Sequence, residues 1–542
     1  MRRDLSRMSA RRHDLIVVGG GVTGACVARD AALRGLSVAL VEKHDFSHAT
    51  SAASSKLIHG GLRYLRNLEL GLIRESLRER RIWERSAPHL VYPLAMVMPV
   101  YRGHKDSLRK MRLGLTIYDG LAFDRGWLAD ADQRLPGHQA LTAAETLALQ
   151  PELPADGLTG ALRYHDCQMF SPERLALECL VSAAAAGASL ANYVRVDGLV
   201  REGDRVVGVH VRDELTGRPA ELRAGLVINA AGPWADQLSD QTAEKVAMVR
   251  SKGIHVITRS LTGGHALAIV GKRGHMFLLP WRGHTIIGTT DEIYEGEPDA
   301  FRVTEPDIAG LLAAVNAEIP ALALTRADVL HTYGGLRPLV EDSSATSSYD
   351  ASRRAEICDH GAQGGPAGLV SVIGGKWTTS RHLAEQVVDL AARKLGRKLP
   401  ACVTAHVPLP GGAIGNFNNF CAATERERPG VDAALIRHLA RNYGGRIGEV
   451  LNYSLSDPAL ARPLADGLPE VAAQVVHAVR AEMAVALEDV VFRRTGLGTL
   501  GHPGDAALAE VARLMGALLG WDRAERIAQV DRVLDRYVTA AA

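Results

Sequence analysis

The sequence predicts an α/β protein in which a parallel sheet flanked by helices is interrupted by a β-rich insertion and followed by an α-helical cap. A strand, a glycine-rich turn, a helix and a second strand follow one another within the first 42 residues. Short β-rich runs and further Gly-Gly turns recur up to about residue 408. From there to residue 542 the chain is rich in Ala and Arg with helical periodicity.

Length and charge set the expected organisation. A chain of 542 residues is too long for one simple core, so we expect two or three domains. Residues 1–408 should hold two interleaved units, with the inserted substrate unit mainly at about 96–160 and 250–330. Residues 409–542 should form a helical domain without chemistry of its own. The net charge of +2 argues against nucleic acid as a partner.

Cysteine usage and hydropathy bear on the compartment. The six cysteines lie far apart and form no Cys-x-x-Cys pair, which fits a reducing compartment better than a zinc site or a disulfide framework. The basic start MRRDLSRMSARR leads into DLIVV, which is too short for a signal peptide, and no apolar run reaches spanning length. We therefore expect a protein on the cytoplasmic side, free or resting on the inner face of the membrane.

The first 42 residues carry each part of a dinucleotide-binding βαβ unit. DLIVV reads as a buried strand and SVALVE as a second one, with Gly19-x-Gly21-x-x-Gly24 opening the helix between them. Gly19 permits the tight turn, Gly21 lets the backbone approach a pyrophosphate, and Gly24 lets helix and strand pack closely. Glu42, at the end of the second strand, can accept both ribose hydroxyls. The motif leaves open whether the dinucleotide is NAD or FAD.

Two later segments favour a flavin. LVINAAGPWAD (226–236) is an apolar strand that ends at small residues and Gly232, as in two-domain flavoproteins. In SVIGGKWTTSRHLAEQVVDLAARKLG (371–396), a strand and a Gly-Gly turn lead to Lys376 and a helix that begins at about Thr378. A helix N-terminus beside a lysine would stabilise the negative charge of a reduced flavin. An ordinary capped helix is the alternative.

Two polar segments suggest where an anion would bind. SSKLIHGGLRYL (54–65) places serines, a lysine, a histidine and an Arg-Tyr pair around one flexible Gly-Gly turn, which a loop does not need in order to fold. In IIGTTDEIYEG, the polar residues Thr289, Thr290 and Asp291 follow a strand. They could line the substrate side, but a hairpin turn of this composition is equally natural.

Six motifs in this order resemble one known family: GGGVTGACVARDAALRGLSVALVEKHDF, SSKLIHGGLRYL, KGIHVIT, IIGTTDEIYEGEPD, YGGLRPLV and IGGKWTTSRHLAE. The chain looks like a FAD-dependent glycerol-3-phosphate dehydrogenase of the respiratory, membrane-associated type. The resemblance runs from about Asp14 to LPGG at 409–412, and EDVVFRRTGLG (488–498) extends it more weakly. It implies a FAD-binding Rossmann-like domain, oxidation of glycerol 3-phosphate to dihydroxyacetone phosphate, and transfer of electrons to ubiquinone or menaquinone.

The resemblance also implies a catalytic set. The matching positions are Arg63, Tyr64, His255, Arg337 and Lys376. A phosphate needs cations, and the planar guanidinium fork suits it, so we expect Arg337 to hold the phosphate with Arg63 contributing. Removal of the C2 hydroxyl proton needs a base; His255 is the first candidate and Lys376, its pKa lowered by neighbouring cations, the alternative.

The positions expected to bind the cofactor lie in the strand-end turns and the neighbouring polar loops. In this interpretation the serines and lysine of SSKLIHGGLRYL face the cofactor, while its Arg-Tyr pair reaches the substrate. The cofactor positions are Gly19, Gly21, Gly24, Glu42, Lys43, Ser54, Ser55, Lys56, Val196, Gly232, Gly375, Thr378 and Thr379.

One box departs from the family pattern. In YHDCQMFSPERLALE (164–178), Ser171-Pro172-Glu173 stand where the family usually has an acidic pair. If those acids shape the pocket, the substrate could be another polyol phosphate, such as a tetritol phosphate. The sequence also leaves open a flavin oxidase that uses oxygen, an NAD dehydrogenase and a non-catalytic flavin-binding subunit.

The remaining expectations concern surfaces. RGHKDSLRKMRLGLTIYDGLAF (102–123) sets basic residues beside apolar ones, which suits docking on anionic lipid, although packing on the protein's own core is the alternative. Its basic residues are Arg102, Lys105, Arg109, Lys110 and Arg112. In the helical domain we expect Arg437, Arg441 and Arg446 to form a solvated face. The sequence leaves a homodimer open.

Overall fold

A computed structural model of the protein describes residues 1–103, 106–239, 248–271, 274–340 and 355–538. Within these ranges the fold consists of two β-sheets with covering helices and a C-terminal group of helices. The predicted fold class is confirmed: a Rossmann-like α/β part, a β-rich insertion and a helical C-terminal part.

The strands follow the predicted β-rich runs and extend several of them. In chain order they are β1 (Arg12–Val18), β2 (Val38–Val41), β3 (Leu57–Ile58), β4 (Val91–Tyr101), β5 (Gln139–Leu141), β6 (Leu158–Met169), β7 (Ser189–Ala191), β8 (Val194–Glu202), β9 (Arg205–Asp213), β10 (Pro219–Asn229), β11 (Met248–Arg259), β12 (Ala266–Gly271), β13 (Gly274–Trp281), β14 (His284–Gly288), β15 (Glu292–Tyr294), β16 (His331–Val340), β17 (Glu356–Asp359) and β18 (Leu369–Ile373).

The helices are concentrated around the first sheet and in the last quarter of the chain. They are α1 (Leu5–Ser9), α2 (Val22–Leu33), α3 (Leu70–Ser86), α4 (Leu108–Leu121), α5 (Ala143–Leu149), α6 (Pro172–Ala185), α7 (Ala235–Ser239), α8 (Glu305–Glu318), α9 (Ser380–Lys394), α10 (Phe417–Glu427), α11 (Ala433–Tyr443), α12 (Ile447–Ser456), α13 (Ala472–Glu482), α14 (Asp505–Leu519) and α15 (Arg523–Asp535). Among the described helices, none is both long enough and apolar enough to cross a membrane.

The first sheet contains the parallel strands predicted at the N-terminus. Its strand order is β17-β18-β10-β1-β2-β7, with β9 beside β10 and β8 beside β9. Strand β1 runs parallel to β2 and β10, and β10 runs parallel to β18. Helices α2, α6 and α9 pack together against this sheet, and their apolar side chains form one buried cluster with its strands. Because both faces are covered, the inner strands read as continuous apolar runs.

The parallel direction of these strands brings four predicted turns to one edge of the sheet. The glycine turn follows β1, and Glu42 follows β2. Gly232 lies shortly after β10, and Gly375 shortly after β18. Ligands of open parallel sheets bind at this edge, beyond the carboxyl ends of the strands.

The second sheet draws its strands from widely separated parts of the chain. Its order is β15-β11-β14-β13-β12-β4-β6-β3, with β16 paired to β11 and β5 to β6. Helix α8 covers one face, where Ile308 and Val315 pack in a buried cluster with Ile254 and Val256 of β11. Strands β11 and β16 lie side by side, so the KGIHVIT and YGGLRPLV motifs are neighbours.

The C-terminal helices α10–α15 enclose two apolar clusters and dock on the first sheet's helices through buried charges. Arg174 of α6 donates to Glu482 at 2.6 Å. The predicted solvated arginine face is wrong in two of three positions: Arg437 is exposed, but Arg446 pairs with buried Glu178 at 3.2 Å, and Arg441 lies 3.8 Å from the centre of a Phe ring. Arg446 pairs across the domain contact, whereas Arg441 stacks on Phe417 of its own domain and donates to the carbonyl of His89 at 3.1 Å. Helical periodicity assigned both residues to solvent because it does not report such partners.

Candidate active site

The turn after β1 is shaped so that only glycine fits at two of its positions. Gly19 has φ +106°, and a Cβ there would lie 2.5 Å from the carbonyl oxygen of Ala230. A Cβ on Gly24 would lie 2.0 Å from the carbonyl oxygen of Gly19. The helix therefore starts directly against the turn, and the backbone is bare where a pyrophosphate would approach.

The start of α2 presents backbone donors to that space. Gly21 is the N-cap residue and supplies no capping side chain. The N–H of Val22 donates to the hydroxyl of Ser51 at 2.8 Å. A helix N-terminus of this kind, at the positive end of the helix dipole, is suited to an anion such as a pyrophosphate.

Glu42 is held in place by the backbone on both of its oxygens. Its Oε2 accepts from the N–H of Gly20 at 2.7 Å and its Oε1 from the N–H of His44 at 2.9 Å. Burial raises the pKa of Glu42, and these two N–H groups act against that rise. Each oxygen keeps a second lone pair, so the carboxylate can still accept ribose hydroxyls. Lys43 points elsewhere: its amine lies 2.6 Å from Asp299.

The other strand-end turns complete the edge. Gly232 and Gly375 have φ of +58° and +99°, which favour glycine. Thr378 both accepts from the N–H of His59, at 3.1 Å, and donates to its carbonyl, at 3.2 Å. Thr379 is the N-cap of α9, so this helix begins two residues later than predicted.

Val196 lies two residues after Val194, whose N–H donates to the carbonyl of Glu42 at 2.7 Å. It sits half-buried on β8, opposite Val211, in the apolar cluster under the first sheet.

The SSKLIHGGLRYL segment joins the two sheets. Its centre, β3, pairs with β6, and Gly61 has φ +76°. The N–H of Gly60 donates to Asp166 at 3.2 Å, and the hydroxyl of Tyr118 donates to the same carboxylate at 3.0 Å. A Cβ on Gly60 would lie 2.2 Å from that hydroxyl. Tyr118 of α4 and Asp166 of β6 thus fix the position of the turn that carries Arg63.

The side chain of Lys56 is directed towards Glu173 and Tyr333. Its buried amine donates to the carbonyl of Ala52 at 2.9 Å and lies 3.4 Å from Glu173. The amine also lies 4.7 Å from the centre of the Tyr333 ring. Burial lowers the pKa of Lys56, against the attraction of Glu173.

The first group of predicted catalytic residues is Arg63, Tyr64 and Lys376. The Lys376 amine lies 4.1 Å from the centre of the Tyr64 ring, and the Arg63 guanidinium lies 5.0 Å from it. The Lys376 amine also donates to Ser76 at 3.3 Å. Burial lowers the pKa of Lys376. Two cations thus share one aromatic ring next to the Gly60-Gly61 turn.

The second group surrounds Arg337. Its Nη2 donates to the hydroxyl of Thr289 at 2.7 Å and to the carbonyl of Thr290 at 3.0 Å. Its Nη1 donates to Ser251 at 3.1 Å and lies 3.4 Å from Asp291. The three polar residues that the sequence could not separate from a hairpin turn therefore hold this guanidinium in place.

His255 belongs to the same group, because its strand β11 pairs with β16, which carries Arg337. Its Nε2 is 2.9 Å from the hydroxyl of Ser55, and its ring stacks on Tyr333 with the centroids 4.8 Å apart. Burial, together with the charges of Arg337 and Lys56, lowers the pKa of His255 well below its ordinary value. The imidazole is therefore neutral at pH 7 and able to accept a proton. Ser55, predicted as a cofactor ligand, touches this base candidate.

Sequence reasoning missed the supports of the site. In the sequence, Asp166 is only one residue of the altered box, and Tyr333 is only part of a motif. The altered residues themselves have structural partners: the hydroxyl of Ser171 caps α6 by accepting from the N–H of Arg174, and Glu173 faces Lys56. No signal in the local sequence connects these pairs.

The site geometry defines a class: a dinucleotide edge on a parallel sheet, with Lys376 in the turn after β18, beside a second sheet that carries Arg337 and a neutral His255. Comparison with known families agrees. Residues 14–389 match the FAD-dependent oxidoreductase family, and residues 402–526 match the C-terminal domain of alpha-glycerophosphate oxidase.

Relatives match along almost the whole chain. A glycerol-3-phosphate dehydrogenase of a Synechocystis species is 37% identical, over 99% of this chain and 97% of its own length. An aerobic glycerol-3-phosphate dehydrogenase of Staphylococcus haemolyticus is 32% identical, over 93% of this chain and 91% of its own. The crystal structure of the Bacillus halodurans glycerol-3-phosphate dehydrogenase with FAD superimposes with a TM-score of 0.78 at 30% identity, covering 98% of this chain and 96% of that one.

The chain therefore belongs to the FAD-dependent glycerol-3-phosphate dehydrogenase family. FAD is its cofactor, as predicted, and the NAD alternative is wrong. The residues present fit this cofactor: the bare glycine turn and the start of α2 suit the pyrophosphate, and the backbone-held Glu42 suits the ribose.

Proposed function

We propose that the protein oxidises sn-glycerol 3-phosphate to dihydroxyacetone phosphate and passes the electrons to a membrane quinone. The observation that carries the proposal is the pair of cationic groups, around Arg337 and around Lys376, in a chain that matches glycerol-3-phosphate dehydrogenases end to end. When bound, FAD supplies the hydride acceptor. The chain's own residues then have three tasks: to bind the phosphate, to orient the C2 hydroxyl and to accept its proton.

Phosphate binding falls to the arginines. Arg337 is oriented by hydroxyl and carbonyl partners on β11 and in the turn after β14, so its guanidinium is fixed before substrate arrives. We propose that it binds the phosphate, with Arg63 contributing from the Gly60-Gly61 turn. A pre-positioned guanidinium loses little side-chain entropy on binding, and its positive charge favours a dianion over a neutral polyol.

Proton abstraction falls to His255 in this proposal. Its neutral ring, held by stacking on Tyr333, accepts the C2 hydroxyl proton at Nε2, because Nδ1 is buried; the substrate hydroxyl takes the place of the Ser55 hydroxyl at that nitrogen. The resulting imidazolium would lie near the positive charges of Arg337 and Lys56, and a bound phosphate offsets the first of these. The base is thereby strengthened when a phosphorylated substrate is present. Lys376 is the second candidate.

Substrate identity rests on where the altered box lies. Because Ser171 caps α6 and Glu173 faces Lys56, the departure alters a helix cap rather than residues around Arg337. This supports glycerol 3-phosphate over a longer polyol phosphate.

Anaerobic stopped-flow absorbance tests the reaction. Glycerol 3-phosphate should bleach the oxidised flavin band within milliseconds to seconds, faster than erythritol 4-phosphate and far faster than unphosphorylated glycerol. A flavin that stays oxidised with glycerol 3-phosphate would contradict the proposal. His255→Ala should slow bleaching at least a hundredfold; if it bleaches normally while Lys376→Met does not, the base is Lys376.

The acceptor separates a dehydrogenase from an oxidase. After anaerobic reduction, a soluble ubiquinone or menaquinone analogue should reoxidise the flavin at least tenfold faster than air-saturated buffer. Equal rates, or faster oxidation by oxygen, would favour the oxidase alternative.

Membrane docking has a candidate surface on α4 and its neighbours. Leu113, Phe123 and Trp127 are 62%, 60% and 68% exposed, and Leu68 nearby is 77% exposed. The exposed basic residues beside them are Arg102, Arg109, Lys110 and Arg112; Lys105 lies outside the described residues. We call this the α4 patch and propose that it docks on an anionic lipid surface on the inner face of the membrane, because apolar side chains ringed by cations match such a surface.

Vesicle sedimentation tests this surface. The protein should bind vesicles that contain phosphatidylglycerol at low salt, and Leu113→Ser with Phe123→Ser should lower the bound fraction severalfold. Ile527→Ser, which also removes an exposed apolar residue, is the matched control. Equal binding by both variants would contradict the proposal. The homodimer stays a prediction of the sequence.

A further inference from the structure

Asp45 is a fully buried carboxylate in the loop after β2, three residues beyond Glu42. Its Oδ2 accepts from Arg493 Nε and from Arg494 Nη1, both at 2.6 Å, and its Oδ1 accepts from Arg494 Nη2 at 2.8 Å. Both arginines are buried and end a π-helical turn, Asp489–Arg494, in the C-terminal domain. Two guanidinium groups from one domain thus hold one carboxylate of another.

Asp45 is ionised although it is buried. Burial alone would raise the pKa of Asp45, but the charges of Arg494 and Arg493 outweigh it and hold the pKa at about 2. Asp45 is therefore ionised at neutral pH, with both arginines contributing.

The loop that Asp45 anchors is bonded to the glycine turn. The N–H of Gly20 donates to Glu42 at 2.7 Å, and the N–H of Ser47 donates to the carbonyl of Gly20 at 3.1 Å. The ring of Phe46 packs so closely that a Cβ on Gly20 would lie 2.7 Å from it. Asp45 lies between these contacts, so its position sets both the ribose-binding carboxylate and the phosphate-binding turn.

A second connection runs in parallel. The N–H of Tyr193 donates to the carbonyl of His44 at 2.8 Å, and its hydroxyl donates to Asp489 at 2.7 Å. Arg493 Nη2 donates to the same carboxylate at 2.6 Å. The loop after β2 is therefore fixed from its backbone and from a side chain to one turn of the C-terminal domain.

We propose that Arg493 and Arg494 are positioning residues for FAD, holding the Glu42 loop against the glycine turn through Asp45. The C-terminal domain then takes part in the cofactor site instead of merely covering it. Neither arginine needs to touch the cofactor. Their effect passes through the carboxylate, whose two oxygens are matched by the fork of Arg494.

Loss of a guanidinium leaves Asp45 buried with its charge only partly matched. Moving toward water then lowers the free energy of the loop, because the carboxylate becomes hydrated, and Glu42 and Ser47 move with it. Arg494→Lys keeps the positive charge but cannot supply two parallel donors. We therefore expect this variant to fold but to bind FAD more weakly than the wild type.

The test measures FAD affinity on folded apoprotein, by the quenching of FAD fluorescence on binding, in the full-length chain. Asp45→Asn and Arg494→Lys should each raise the FAD Kd at least tenfold. The double variant should raise it little beyond the worse single variant, because both changes break one interaction. Arg513→Lys, an exposed arginine paired with Glu510 in the same domain, is the matched control and should leave the Kd unchanged.

A purely structural role predicts lower apoprotein stability with an unchanged Kd in the folded fraction, and that result would overturn the proposal. If both variants fail to fold, hydrogen exchange of the wild-type apoprotein decides. Added FAD should then slow exchange in residues 488–495 as well as in 42–48. Protection confined to 42–48 would equally overturn it.

Discussion

His255 is buried and Lys376 is half-buried, and burial lowers the pKa of each, yet the consequences for a base differ. A histidine with a lowered pKa is already deprotonated at neutral pH, whereas a lysine must first lose a proton. The two assignments therefore predict different pH profiles.

With His255 as the base, kcat/KM should stay level from pH 6.5 to 8 and fall only below the ordinary pKa of histidine. Steady-state rates with a quinone analogue across pH 5 to 9 measure this. A rate that still climbs between pH 7 and 9 would indicate Lys376 instead.

Asp166 is the residue on which the Arg63 turn rests. Replacing it with Asn removes the nearest carboxylate from buried Arg80 and leaves only Glu84, 4.0 Å away; such a loss costs about 3–5 kcal/mol. Asp166→Asn should therefore lower the free energy of unfolding by roughly that amount and raise the KM for glycerol 3-phosphate. Tyr118→Phe removes one hydroxyl from the same carboxylate and should cost only about 1 kcal/mol. Urea titrations of both variants compare them, and equal costs would contradict this account.

Among the elements, the β11–β16 ladder determines where Arg337 points. Gly253 lies opposite Gly335 on this ladder, and a Cβ on Gly253 would come within 2.1 Å of Arg337 Nη2. The space that the guanidinium occupies exists only because position 253 has no side chain.

Gly253→Ala should displace Arg337 and raise the KM for glycerol 3-phosphate at least tenfold without loss of flavin. Gly310→Ala on α8, where a Cβ meets nothing within 4 Å, is the control and should stabilise the helix by about 1 kcal/mol with unchanged KM. An unchanged KM for Gly253→Ala would show that the guanidinium can move without cost.

Local pattern was sufficient to predict the strands, helices and turns at the cofactor edge. Each of β1, α2, β2 and β18 has a periodic apolar run ended by glycine or an acid, and these signals lie within a few residues of one another. The residues of both cationic groups were also predicted, but only through the order of the motifs.

Long-range partners could not be predicted. Gly60 and Asp166 are 106 residues apart in the chain, and Asp45 and Arg493 are 448 apart. Periodicity reports which face of an element is buried but not which distant element covers it. For the same reason the prediction of a solvated Arg446 is wrong, since this residue closes a buried ion pair with Glu178.

For the whole molecule, buried neutral histidines lower the free energy of unfolding as the pH falls. Burial lowers the pKa of His89 to about 3 and that of His438 to about 4. The unfolded chain takes up these protons below its ordinary histidine pKa of about 6.5, whereas the folded protein does not, so stability is lost as pH falls from 6.5 towards 4. At pH 5 each histidine should cost about 2 kcal/mol.

Urea unfolding at pH 7 and pH 5 measures this loss. His438→Gln should reduce the difference between the two pH values by about 2 kcal/mol. His210→Gln, at a side chain that is 56% exposed, should leave it unchanged. If both variants reduce it equally, the buried histidines are not its source.

The Asp45–Arg493 contact has a consequence for biogenesis. The glycine turn and Glu42 leave the ribosome long before their anchor, since 448 residues separate Asp45 from Arg493. At roughly 5–20 residues per second, the nascent site waits at least about 20 s for the arginines to be made. On the proposed role of the two arginines, tight binding of FAD would follow synthesis of nearly the whole chain, and a chain that ends before residue 493 would bind the flavin weakly.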